Sequence, residues 1–295
     1  MIKFKEKVYK FISLLVFLWS FFCICLYAYY GKNLVNNLVH LRLSLILGLI
    51  VSFLIMHALK FARYYFILSE SKISLASFIR IYIYVTFVNI ILPFKLGEIY
   101  RFFAIGKITN SFIISSLSIL TERFYDTLII LLIFVISLLF YDVEISSVCI
   151  ILMIFVLVLY CIYKMFKETI LYINRYIILK KNKSMDIAIL RFIHHLNTWY
   201  NYEVSIIKGK GILVFLFSIF SWIFEFAFLY FLSYILGVLF NFNYLYNYII
   251  GILTINRNLN NSLMILYILI SSLLFLLINT ILIYFSKTKR GHDFG

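Results

Sequence analysis

Long apolar runs occupy most of this chain, at roughly Phe11–Tyr30, Leu43–His57, Leu75–Leu92, Phe112–Phe140, Ile145–Tyr163, Ile212–Leu239, Tyr246–Ile255 and Leu263–Phe285. The second can extend to Leu68, past Lys60 and Arg63. An α-helix needs ~20 apolar residues to cross ~30 Å of hydrocarbon, and most of these runs approach or exceed that length. In lipid every backbone polar group must be satisfied within the segment, so continuous runs of this kind fold as helices. Polar residues are too few for any other outcome. Of 295 residues 64% are hydrophobic and 13% charged, against ~25% charged in a soluble domain. The chain therefore reads as an all-α, polytopic membrane protein, and no interval between the runs suffices for a separate soluble domain.

Charge sets the orientation. The net charge of +15 would suggest nucleic acid in a soluble protein. Here the Lys and Arg fall between apolar runs, where they meet anionic headgroups and fix topology, so no nucleic-acid partner is expected. Lys3, Lys5, Lys7 and Lys10 precede a first run too long for a signal peptide and followed by no small-residue cleavage site, which predicts an uncleaved span. The segment Lys164–Lys210 and the tail Lys287-Thr288-Lys289-Arg290 are also basic. All three are expected on the cytoplasmic side of a bacterial inner membrane. Within the long basic segment Ile189, Phe192, Ile193, Leu196, Trp199 and Tyr200 recur at helical spacing, the pattern of an amphipathic helix on the membrane surface or packed on the bundle. One transmembrane domain is expected over 1–295, with an N-terminal half to 163, a basic segment 164–210, C-terminal spans 211–285 and a tail 286–295.

Crossing parity then limits the topology. Two spans return the chain to the cytoplasm near Lys60–Arg80, and Phe112–Phe140 must run outward again. Leu75–Leu92 consequently enters and comes back, with its turn near Pro93. By the same count Tyr246–Ile255 dips in from the outside. About six spans plus two re-entrant elements entering from opposite faces are expected, an arrangement that suggests an inverted repeat.

Ionisable residues inside apolar runs cost ~2.5–3.5 kcal/mol each on insertion scales and need a partner, a wet cavity or a charged ligand. The densest group is Leu92-Pro93-Phe94-Lys95-Leu96-Gly97-Glu98-Ile99-Tyr100-Arg101. Pro93, the only proline, and Gly97 mark a broken helix and a hinge. Glu98 and Arg101, at i,i+3, can pair. On the next run Ser111, Ser115, Ser118, Glu122 and Asp126 fall on one narrow stripe, with Arg123 beside it, and this stripe is expected to line an internal cavity. Tight helix packing through small residues accounts for the serines but poorly for two carboxylates. Glu225, one turn after Trp222, is expected to meet Arg101, Arg123 or Arg63. The proposed headgroup site thus comprises Arg63, Lys95, Glu98, Arg101, Glu122, Arg123, Asp126 and Glu225. No catalytic residue, metal site or cofactor is assigned: there is no P-loop, GxGxxG or HExxH pattern, and Cys23-x-Cys25 lacks accompanying ligands.

The stretch from Leu92 to Asp126 resembles the flippase-like family named for the lysylphosphatidylglycerol synthase transmembrane region. That family's pattern is Leu-Pro-x-basic-x-Gly-Glu-x-x-Arg, then a Ser-rich segment, then Glu-Arg-x-x-Asp, matched here by Leu92–Arg101, Ser111–Ser118 and Glu122–Asp126. Arg63 and the Trp222/Glu225 pair also fit. Relatives commonly carry a Pro/Gly-rich stretch with a Glu in the later half, but Ile250-Gly251-Ile252-Leu253-Thr254-Ile255-Asn256-Arg257 has neither Pro nor Glu. Some relatives add a cytosolic aminoacyl-transferase domain, which this chain is too short to contain. The resemblance therefore implies handling of an anionic phospholipid or lipid-linked saccharide as flippase or accessory, not lysyl transfer. Two other readings stay open: a membrane-embedded enzyme acting on a polyprenyl-linked glycan or phospholipid, and a non-catalytic partner of a glycosyltransferase or polysaccharide export system. A homo-oligomer is compatible with all three.

Overall fold

A computed structural model describes residues 43–71, 73–91, 96–140, 147–179, 184–237, 240, 248–249 and 262–292. Among them there is no strand. The helices are α1 (Leu43–Ile67), α2 (Leu75–Ile91), α3 (Leu96–Ile108), α4 (Phe112–Phe140), α5 (Ser147–Leu179), α6 (Ser184–Ile207), α7 (Gly211–Ile235) and α8 (Ser262–His292), with a 3₁₀ turn at Ser69–Ser71. Leu43–Ile67, Ile150–Leu179 and Gly211–Ile235 are long and apolar enough to cross a membrane, and Leu75–Ile90 and Leu266–Thr280 are shorter apolar stretches. The protein is a multi-pass α-helical membrane protein. The expected first span, Pro93, Lys95 and most of Tyr246–Ile255 lie outside the described residues.

The second run takes the longer of its two expected extents, and one boundary differs from a reading based on charge. The second run does not stop at His57: α1 continues through Lys60 and Arg63, because both long side chains sit among straight-chain and aromatic residues that propagate a helix. The run ending near Tyr163 continues as α5 for 33 residues to Leu179, about 50 Å at 1.5 Å per residue. That exceeds the hydrocarbon thickness. Lys164, Lys167 and Arg175 mark where α5 leaves the apolar layer, not where the helix ends, since nothing from Tyr163 to Leu179 is Gly or Pro. The apolar window of α5 has no buried residue, so its side chains are free for lipid. The predicted amphipathic helix is present within α6, where Ile193 is buried and Phe192 exposed. It packs on α5 through Tyr200, stacked on Phe166 at 4.8 Å and tilted against Tyr163 at 5.4 Å.

The chain forms two compact units, each discontinuous in sequence: residues 1–54, 86–97 and 224–295, and residues 55–85 and 98–223. In the first, Phe53 packs against Phe228 and Phe275 at 5.5 and 5.3 Å. Gly48 lets α1 approach α7 there, since a Cβ would stand 2.6 Å from the Phe231 ring. The second unit has a core of Tyr64, Ile67, Leu68, Phe78, Ile81, Ile105, Tyr125 and Val214, and in it α4, α5 and α6 pack on one another. α2 ends at Ile91 and α3 starts at Leu96, and the break expected at Pro93 lies outside the described residues.

Candidate functional site

The second unit gathers six ionisable side chains from α1, α3 and α4. Arg63 of α1 sits at their centre. Its Nη2 donates to Glu122 Oε1 at 2.6 Å, and its Nη1 donates to Asp126 Oδ1 at 2.5 Å and to Ser218 Oγ of α7 at 3.0 Å. A longer bond, 3.3 Å, runs from Nη2 to Asp126 Oδ2, so the guanidinium grips both oxygens of that carboxylate. Arg101 of α3 takes the other oxygen of Glu122, Nη2 to Oε2 at 2.5 Å. Glu122 thus bridges two arginines. Arg101 Nε also lies 3.0 Å from Glu98 Oε2, the i,i+3 pair expected from spacing. Arg123 closes the chain of contacts by hydrogen-bonding Glu98 Oε1 and standing 3.6 Å from Asp126 Oδ2.

Exposure divides the six. The side chains of Arg63, Arg101 and Glu122 are 2, 5 and 6% exposed, those of Glu98 and Asp126 17 and 18%, and that of Arg123 39%. An Arg–Glu–Arg core therefore carries a rim of two carboxylates, and Arg123 is the cation open to what surrounds the protein. The carboxylates face arginines instead of one another. Each of the three is an ion-pair partner of two arginines.

Two contributors were not singled out from sequence. The Tyr64 ring supports Arg101, whose Cζ lies 4.1 Å from the ring centroid, and the Tyr64 hydroxyl meets Ser118 Oγ at 3.2 Å. Ser218 is the second, reached by Arg63. Both lie near residues that were found (Tyr64 adjoins Arg63, and Ser218 lies one turn before Trp222), but neither type stands out in a chain this rich in Tyr and Ser. Two serines of the α4 stripe turn inward. Ser115 and Ser118 are fully buried and spend their hydroxyls on helix contacts, Ser115 to the Phe102 carbonyl at 2.8 Å and Ser118 to the Ser115 carbonyl at 2.8 Å.

Glu225 belongs to the other unit. Among its described partners are tyrosines of its own unit, Tyr248 at 2.6 Å and Tyr267 at 3.5 Å. Gly97 is buried at the start of α3. On the α6 side of the second unit, Thr121, next to Glu122, donates to Glu203 Oε1 at 2.6 Å. Burial pushes the Glu203 carboxyl up despite that bond. Nearby, Lys210 donates to Glu70 at 3.0 Å and to Ser69 at 2.9 Å. The Lys210 bond lowers the Glu70 carboxyl.

The profile of the family described as the lysylphosphatidylglycerol synthase TM region matches residues 10–256 of the chain. No curated protein matches, and no solved structure does.

Proposed function

The chain belongs to the family of the lysylphosphatidylglycerol synthase transmembrane region, a membrane family related to lipid handling, and from that premise we propose that it binds an anionic lipid headgroup and serves as a flippase or the accessory of one. The headgroup belongs to a phospholipid or a lipid-linked saccharide, and its phosphate approaches Arg123. Lys95 and the hinge at Pro93 and Gly97 complete the site in this reading. The chain sits in the cytoplasmic membrane of a bacterium with both termini inside, and Leu75–Ile105 is a re-entrant hairpin. A second re-entrant element near Tyr246–Ile255 and rocking of half-bundles about a midplane site follow from the same reading.

One observation carries it: a buried Arg–Glu–Arg core that orients a half-exposed arginine. A purely structural ion pair has no need of a third cation at its rim, and a guanidinium held in place by two carboxylates is preorganised for a phosphate fork. Reconstitution into liposomes with fluorescent phosphatidylglycerol, phosphatidylcholine or a polyprenyl-phosphate sugar tests the proposal. Dithionite protection should change with time for an anionic lipid and not for phosphatidylcholine, and Arg123→Gln should abolish the change. Equal rates for all three lipids, unaffected by that substitution, would refute it.

A further inference from the structure

We infer that the C-terminal end of α5 is a docking surface for a protein of the aqueous phase, one that presents an acidic side chain within an apolar face. The inference goes beyond the headgroup reading and needs only that α5 cross the membrane. Ser147–Tyr163 rises about 25 Å, close to the hydrocarbon thickness of ~30 Å. The helix then runs on unbroken to Leu179, which adds about 24 Å. Sharp kinks need Pro, Gly or a bulge, and the stretch from Lys164 to Leu179 has none, so nothing folds it back onto the bilayer. Even at a tilt of about 20° its end stands about 15 Å past the hydrocarbon, where headgroups fill only the first ~6 Å.

That end carries an apolar patch. Leu171, Tyr172, Ile178 and Leu179 are 50, 71, 70 and 85% exposed. Each lies three or four residues from Arg175, which is itself exposed, so the four ring one guanidinium on a single helix face. Buried Ile170 marks the opposite side of the helix, the side turned to the rest of the unit. Large side chains in water around a central cation have the make-up of an interface core, in which Tyr and Arg carry most of the binding energy. Charge chooses the occupant. Lys180, Lys181 and Lys183 follow the patch directly in sequence, so a second copy of the chain would bring like charges together, whereas a carboxylate set among apolar side chains would meet Arg175. Lipid is excluded by the distance of the patch from the hydrocarbon.

Full-length protein in phosphatidylcholine nanodiscs tests this in two ways. A nitroxide on Leu179→Cys, in a cysteine-free background, should be relaxed more by a water-soluble nickel chelate than by oxygen. The reverse would place the patch in lipid and overturn the proposal. The second test uses fluorescent helical peptides of Leu and Ala with one central Glu, Gln or Lys, and counts binding above that to empty nanodiscs. The Glu peptide should bind the wild type at least about tenfold more tightly than the Gln peptide. Arg175→Glu should shift the preference to the Lys peptide, and Tyr172→Ser with Leu179→Ser should weaken all binding. Lipid movement in liposomes should be unchanged in Arg175→Glu, which lies outside the arginine network. Equal affinity for the three peptides, or no binding above empty nanodiscs, would overturn the docking surface and leave the headgroup reading standing. So would a dimer in sedimentation that Tyr172→Ser with Leu179→Ser dissolves, since it would assign the patch to a second copy. Where the double serine variant gives no folded protein, the charge reversal at Arg175 decides alone.

Discussion

Glu122 and Glu225 are both buried carboxylates in apolar helices, and the two units stabilise them by different means. Glu122 is held between the guanidinium groups of Arg63 and Arg101, whereas the donors described for Glu225 are the hydroxyls of Tyr248 and Tyr267. A hydroxyl serves a carboxylate or a carboxylic acid almost equally well, so these two contacts tolerate loss of charge. The arginine network does not: each member is the counterion of two others, and removing one strands the rest.

The largest expected effect comes from the centre of that network. Arg63→Met leaves Glu122 and Asp126 short of a cation and should cost about 3–5 kcal/mol, the range for breaking a buried pair, measured as loss of monodisperse protein and a sharply lowered Tm in detergent. Glu225→Gln keeps an acceptor for Tyr248 and should lower the Tm only slightly. Equal losses in the two variants would break the contrast between the units. The next effect sharpens it. Arg101→Gln alone should reduce protein level, and adding Glu98→Gln removes one charge of each sign and should restore the level. Headgroup binding should stay lost in the double variant, and recovery of both level and binding would assign the Glu98–Arg101 pair to scaffolding.

Smaller effects are expected among the hydroxyls. Tyr248→Phe should cost about 1–3 kcal/mol, the range for a buried acceptor left without its donor, and Tyr267→Phe less, because its bond is 3.5 Å long. Thermal melts of the two variants side by side check the order. The smallest effect lies outside the bilayer and has a sign that depends on the residue. Glu70, lowered by Lys210, contributes stability above its unfolded value of 4.5 that fades as pH falls through its lower folded value. Glu203, raised by burial, is held uncomfortably as an anion at neutral pH, and that destabilisation is relieved as pH falls through its raised value. Glu203→Gln should therefore stabilise at pH 7 by up to about 1 kcal/mol, while Glu70→Gln should destabilise by less than about 1 kcal/mol, as a surface pair does. Melting curves at pH 5 and pH 7.5 distinguish the two, and the opposite signs at pH 7.5 would refute this account.

Much of the site was legible in the sequence because charge is rare in apolar runs. Glu98, Arg101, Glu122, Arg123 and Asp126 stand out where a charge is costly, and helical spacing alone predicts that several share a face. Arg63 was visible for the same reason, though its central position was not, since spacing along α3 and α4 says nothing about which residue of α1 comes between them. Tyrosine is different. With 24 in the chain, nothing marks Tyr64, Tyr248 or Tyr267 as partners of charged groups. The extension of α5 was illegible because the basic residues that signal a membrane boundary do not interrupt helix hydrogen bonding.

The turn between α3 and α4 joins the two helices that supply five of the six network residues. The Ser111 amide donates to the Gly106 carbonyl at 3.1 Å, and Asn110 takes φ 52° between them, the six-to-one closure in which asparagine substitutes for glycine. Such a joint has no slack, so it converts residue count directly into angular phase. A single residue inserted between Arg101 and the turn would rotate that arginine by about 100° and lift it by about 1.5 Å, enough to swing its fork away from Glu122. The pairing of α3 with α4 is thus tolerant of many substitutions yet intolerant of any change in length between residues 101 and 122. Insertions and deletions there should be lethal to the network where Asn110→Gly, which keeps the positive φ, is accepted.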